Sequence, residues 1–304
     1  MKLAGIEIGG TKLQVVLGNA DGIISDRRSH IIDAKQGASV IRRIIEDDLR
    51  SFGKIDGVGV GFGGPVNRTT GTIWTSYHVD GWTGFNLKNW VKELTNAPAA
   101  IDNDANVAAL AESMSQSHKV VFYATMGSGV GAGLTINKRI YHGQIGGELE
   151  FGHVRLNPSG LTVQQSCSGW AVNSKVLEAA ADDPSGKLAE FSKQFPHAEA
   201  KALVPAIQAG DAQAMEILNA TITDFAFGLS HVVHLFHPNI IIIGGGMSQI
   251  GEMLRKGIEE KLTSFIMDAF HPGPVIQLSK LGTDVVPVGA LLLASQELNY
   301  GKLR

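Results

Sequence analysis

The chain holds one cysteine, Cys167, in 304 residues. That excludes an intrachain disulfide and a cysteine-built zinc site, and it fits a reducing cytoplasm. Charge is scarce as well. Asp, Glu, Lys and Arg make up 18% of the residues, against about 25% in an average soluble protein. The shortfall leaves much interior, or a buried subunit contact. With a net charge of −3 and a pI near 6.4, the chain has no electrostatic footprint for nucleic acid. No run reaches the roughly 18 apolar residues of a membrane span. The first residues read as a strand rather than as a signal peptide. Neither a nucleic acid nor a membrane is an expected partner.

Glycine is the abundant residue: 37 of 304, or about 12% where about 7% is usual. A chain of this length exceeds what one hydrophobic core usually supports, so two domains are expected. The glycines gather in four runs. The first, Gly5-Ile6-Glu7-Ile8-Gly9-Gly10-Thr11-Lys12, lies between two strand-like segments, residues 1–8 and 13–18. Glycines tolerate positive φ and let backbone N–H groups approach a ligand closely. With one hydroxyl and one ammonium, such a nest suits phosphate. An ordinary Gly-Gly hairpin turn reads the same way. A third strand over 23–32 completes an antiparallel meander, and helix spacing follows over 38–52.

The second run, Gly59-Val60-Gly61-Phe62-Gly63-Gly64-Pro65, ends a strand over 55–60. It contains a formal GxGxxG, but turn chemistry follows where a dinucleotide fold needs a helix. Two readings stand: a strand end whose backbone closes over a small polar ligand, and a structural loop. Ser76, His78, Trp82 and Asn86 occupy a loop that enters a helix near Leu87. At Asp102-Asn103-Asp104 a strand ends and a helix begins. A cap needs one such residue, and three crowd this junction. The third run, Thr125-Met126-Gly127-Ser128-Gly129-Val130-Gly131, repeats strand, glycine turn with hydroxyl, and strand over 119–137. The repetition implies an internal duplication in which two turns facing each other clamp a polyphosphate.

Glu148, Glu150 and His153 follow close together, then a turn at 157–160 and a helix over 171–181. Residues 182–205 read as surface helices and loops of an inserted segment, and 211–236 as a long helix. Four isoleucines, Ile240 to Ile243, make a fully buried strand. The fourth run, Gly244-Gly245-Gly246, is expected to open a helix over 249–262 and to offer backbone N–H groups to a nucleotide. A strand over 275–279 and a closing helix over 288–298 complete the chain. His142, His231, His234 and His237 are expected to be structural or surface residues.

These pieces together resemble the ROK group of sugar kinases, within the actin-like ATPase superfamily. The stretch Glu7 to Lys12 is similar to the first phosphate motif, D-x-G-G-T-K, and Thr125 to Gly131 to the second, T-x-G-T-G-x-G. Asn103-Asp104 matches the N-D pair, Glu150-Phe151-Gly152-His153 the sugar-binding E-x-G-H, and Ile243 to Gly246 the adenosine motif. The resemblance covers nearly the whole chain. It implies an α/β, two-domain actin-like ATPase fold, a duplicated ribonuclease H-like arrangement with a cleft between domains. The expected domains are 1–116, completed by 288–304, and 117–287.

The implied activity is ATP-dependent phosphorylation of a hexose, with glucose favoured and transfer to the 6-hydroxyl. Asp104 is implied as general base. Gly63, Gly64, Asn103, Asp104, Glu150 and His153 would bind the sugar, with Ser76 or His78 as further candidates. Gly9, Gly10, Thr11, Lys12, Gly127, Ser128, Gly129, Gly244, Gly245 and Gly246 would bind ATP. Glu7 would be an outer-shell partner of Mg²⁺, and a cytoplasmic homodimer is implied. Fructose, N-acetylmannosamine and N-acetylglucosamine are alternative sugars. A silent sugar- or nucleotide-binding protein of the same fold is the alternative class. The family's repressors carry an N-terminal winged helix, for which a chain starting four residues before its phosphate turn is expected to lack room.

Three departures stand out. Glu7 replaces the usual Asp. The Cys-rich zinc motif is reduced to Cys167, so no structural zinc is expected. Gly169 stands near the place of a sugar-binding Glu, where Gln164 or Gln165 could supply a polar group instead.

Overall fold

The computed structural model describes residues 1–77, 79–144 and 149–301, with 300 and 301 in backbone only. His78 and Glu148, named above, lie outside the described residues. Strands β1 (Leu3–Ile8), β2 (Lys12–Gly18) and β3 (Ile24–Ile31) form the expected antiparallel meander. Helix α1 (Gly37–Ser51) buries Ala38, Ile41, Ile45 and Leu49, one face at helical spacing. Strand β4 (Gly57–Phe62) then pairs parallel with β1. After Gly64 the chain enters a small hairpin, β5 (Val66–Asn67) and β6 (Thr72–Ile73), not a helix. Helix α2 (Leu87–Thr95), strand β7 (Ala99–Asn103) and helix α3 (Asp104–Met114) follow. The sheet order is β3-β2-β1-β4-β7.

Strands β8 (Val120–Met126), β9 (Val130–Ile136) and β10 (Arg139–Ile140) begin a second sheet. Helices α4 (Val163–Cys167), α5 (Gly169–Asp182), α6 (Lys187–Ser192), α7 (Leu203–Gln208) and α8 (Ala212–Phe236) come next. Strand β11 (Ile240–Gly244), helix α9 (Glu252–Phe265), strand β12 (Val275–Leu278) and helix α10 (Val285–Gly301) end the chain. The second order is β10-β9-β8-β11-β12. It matches the first sheet strand for strand, which is the duplicated arrangement expected of an actin-like ATPase fold.

Two compact units result. One comprises Met1–Lys119, Gly133–Leu149 and Leu281–Arg304; the other comprises Val120–Ala132 and Glu150–Lys280. In the first, one sheet face packs on α1, α2 and Trp82, burying Ile6, Ile8, Val60 and Ile101. The other face meets α10 through Leu3, Val16, Leu291 and Ala294. That contact explains the spacing Gly57, Gly59, Gly61. Alternate strand residues share a face, and a Cβ on Gly59 would lie 1.9 Å from Ala290 O. These three glycines admit the helix; only Gly63 and Gly64, beyond the strand, remain for a ligand.

Two expectations are corrected. The triple glycine does not open the next helix. Gly246–Ile250 is a 3₁₀ turn, and Gly251, at φ +80°, breaks the chain before α9 starts at Glu252. Residues 182–205 are not merely surface: Leu188, Ala189, Ala202 and Leu203 are buried, giving the second unit part of its core. No helix among the described residues is long and apolar enough to cross a membrane.

Candidate active site

The first unit gathers three strand ends. The turn joining β1 to β2 closes by Gly9 N–H donating to Lys12 O at 2.9 Å. No protein acceptor engages the amides of Gly10 and Thr11 among the described residues. Neither Gly9 nor Gly10 has a positive φ, so the glycines serve here by lacking a side chain rather than by left-handed backbone. Lys12 Nζ lies 3.1 Å from Glu7 Oε2. Gly63 N–H donates to Ile8 O at 2.8 Å, fixing the end of β4 beside the end of β1. A Cβ on Gly63 would stand 3.4 Å from Asp104 Oδ2 and 3.5 Å from Gly9 Cα. Gly9, Gly63 and Asp104 therefore surround one small space.

Asn103 is the cap of α3. Its Oδ1 accepts from Ala105 N–H at 2.9 Å, and its Nδ2 donates to Gly64 O at 3.3 Å. Asp104 stands in the first turn of that helix, and its Oδ1 accepts from Ala105 N–H at 2.8 Å. Ser76 is committed elsewhere: its hydroxyl donates to Val79 O at 2.8 Å and closes its own loop. His142 takes the structural one of its two expected roles: its Nε2 meets the buried Asp102 carboxylate at 2.7 Å.

In the second unit the turn between β8 and β9 closes by Gly127 N–H donating to Gly129 O at 2.9 Å. Gly245, at φ +80°, packs its backbone on this turn, where a Cβ would lie 2.7 Å from Gly127 N. Gly244 backs onto Tyr123 instead. Gly246 has open space beside it and, with Gly127 and Ser128, borders a cavity of about 460 Å³. Trp170, Val204, Met247 and Ile250 give that cavity apolar walls, and Asn173 and Lys201 add polar groups. The sequence reading missed Trp170, Asn173 and Lys201. No local motif marks them, and only the fold brings α5 and residues 197–204 to the glycine turn.

Glu150 and His153 are exposed and share one 3₁₀ turn, His153 N–H donating to Glu150 O at 2.9 Å. The residues between them anchor it. Phe151 sits edge-on to Phe122 and Phe225, and a Cβ on Gly152 would lie 2.2 Å from Val130 O. His153 is therefore no core histidine. The glutamines proposed to replace a missing acid are both engaged. Gln164 Oε1 accepts from Val130 N–H at 3.0 Å, and Gln165 forms the capping box of α4 with Thr162.

Cys167 is fully buried and its thiol donates to Thr221 O. Burial, and then the charge of Asp224, push its pKa up to about 12. These surroundings favour the thiol form. Among the described residues no three His, Cys, Asp or Glu side chains group to hold a metal ion. Glu7 by the first turn fits Mg²⁺ only in the mode in which the ion keeps its waters and binds chiefly through phosphates.

A sequence profile of the ROK family matches residues 3–297. The chain belongs to the ROK family. Glucokinase of Halalkalibacterium halodurans is 28% identical, over 97% of this chain and 95% of the relative. Glucokinase of Thermotoga maritima is also 28% identical, over 98% of each. Among solved structures, a ROK family glucokinase from Streptomyces griseus in complex with glucose and AMPPNP superposes with a TM-score of 0.85. It is 27% identical and covers 97% of this chain and all of its own. The actin-like ATPase fold of this ROK protein is thus shared with kinases that match nearly its full length.

Proposed function

We propose that this ROK protein is a sugar kinase that moves the γ-phosphoryl group of ATP to the 6-hydroxyl of a hexose. The observation that carries the reading is the convergence of Gly9, Gly63 and the Asp104 carboxylate in the first unit. A phosphate-binding turn and a base then stand around one space, and Gly63 leaves room there for a hydroxyl. Asp104 accepts the hydroxyl proton as the sugar oxygen bonds to phosphorus and the bond to the ADP oxygen breaks. Phosphoryl transfer asks mainly for position and charge stabilisation, and the proton leaves late in a loose transition state. Asp104 therefore needs no raised basicity.

The amides of Gly10 and Thr11, with Lys12, bind phosphate in the first unit. Gly127, Ser128 and Gly129 do so in the second, where Gly244 and Gly245 shape the turn and Gly246 opens onto the nucleoside cavity. Asn103 and Gly64 hold the sugar beside Asp104, and Glu150 and His153 present its other contacts. Glu7 would hold Mg²⁺ through the ion's bound waters, and the ion would supply charge neutralisation at the phosphates. The relatives named glucokinase favour glucose as the sugar. A cytoplasmic homodimer completes the proposal.

Coupled ADP release over a panel of hexoses tests it. Turnover with at least one hexose, lost on Asp104→Ala, is the expected result. A second reading, a binding protein without transfer, is favoured by the absence of an acid at Gly169 and the commitment of Gln164 and Gln165. Calorimetric sugar binding with no ADP release would select it.

A further inference from the structure

We infer that His142 is a positioning residue of the transfer site: through Asp102 it holds the junction that aims Asp104. The inference rests on Asp104 being the base.

Asp102 is 2% exposed, and its carboxylate is a hub. Oδ1 accepts the Asn103 N–H at 2.8 Å and Asn106 Nδ2 at 2.9 Å; Oδ2 accepts His142 Nε2 at 2.7 Å. Asn103 and Asn106 bracket Asp104. Asn103 in turn caps α3 and reaches Gly64 O. The anchors on both sides of Asp104 thus depend on the orientation of one buried carboxylate.

Two of its three donors belong to the same five-residue junction and move with it. His142 alone comes from a separate segment, just after β10 and 40 residues along the chain. It is the fixed point against which the junction is set. A buried carboxylate that loses a donor reorients toward whatever donor remains, and here the remaining donors are the groups that position Asp104. Donation to an ionised carboxylate requires the proton on Nε2, which the imidazole presents from a rigid ring.

The test compares His142→Phe with His142→Gln in the full chain, using the sugar that the panel selects. His142→Phe is expected to lower kcat about 10- to 100-fold, because small misplacement of a reacting group is costly. KM for sugar and for ATP should stay within about threefold, as expected of a residue that acts through Asp102 rather than on a substrate. His142→Gln keeps a nitrogen donor near the Nε2 position and should restore most of kcat. If His142→Phe does not fold, His142→Met against His142→Gln makes the same comparison. Equal kcat in the Gln variant and the donorless variant, or a wild-type kcat without the donor, overturns the inference. Wild type and Asp104→Asn run alongside. An active wild type and an inactive Asp104→Asn with unaffected His142 variants refute the role of His142 alone. A wild type inactive on every hexose removes the kinase reading and this inference with it.

Discussion

Gln14 Nε2 donates a 2.6 Å hydrogen bond to Glu7 Oε2 across the first hairpin. Glu7 stands where the resemblance leads one to expect Asp, and Gln14, 3% exposed, is the residue its longer side chain meets. The amide is fully used. Its other proton goes to Thr283 O at 2.9 Å, and its oxygen accepts from Arg27 and Ser29. Glu7 is therefore held from two sides, by Gln14 and by Lys12.

Gln14→Leu keeps most of the volume and removes all four bonds. Thr283 O loses its donor and the Glu7 carboxylate keeps only Lys12. A loss of about 1–3 kcal/mol is expected for buried groups left unsatisfied. Urea denaturation measures it, and an unchanged midpoint would show that water replaces the amide at no cost.

Cys167 gives a pH prediction with a definite sign. Its folded pKa of about 12 lies above the ordinary 9.0, so the folded state binds this proton more tightly. The stability it contributes is fully present below pH 9 and is lost as pH rises through the interval from 9 to 12. Cys167→Ala is expected to flatten that alkaline fall, whatever it does to stability at neutral pH. Denaturation midpoints of both proteins at several pH values check the difference in slope. The same thiol should resist a disulfide reagent at pH 8 until denaturant is added.

Local rules carried much of the fold. The meander of β1 to β3, the buried isoleucines of β11 and the long α8 follow from period, burial and turn residues within one stretch of chain. The glycine runs were harder. Gly59 and Gly61 carry the same letters as Gly63 and Gly64, yet α10 touches the first pair and the strand end frees the second. That difference is set by a helix more than 200 residues away in sequence, so no window along the chain contains it. Gly251 was invisible for the opposite reason, since a single positive φ ended an element that apolar spacing extended. His142 and Trp170 show the same limit at the candidate site. Their partners come from remote elements, and neither lies in a motif.

Placing an acid at position 169 is expected to weaken nucleotide binding rather than complete the sugar site. Gly169 begins α5, and its N–H donates to Gly127 O at 2.7 Å. A Cβ there would lie 2.8 Å from that same oxygen. The obstacle is backbone, so it cannot rotate aside as a flexible side chain would. The turn that moves is the one whose amide at 127 closes onto Gly129 O and whose residues border the cavity proposed for the nucleoside. Gly169→Glu adds a negative charge beside a place proposed for phosphate, a second penalty of the same sign. Gly169→Ala separates the two effects, since it brings the carbon without the charge. Titration calorimetry with AMPPNP should show the dissociation constant rising about tenfold, or about 1.4 kcal/mol, in Gly169→Ala, and further in Gly169→Glu. Wild-type affinity in Gly169→Ala would mean that the turn yields to the new carbon, and only the charge would then separate the two variants.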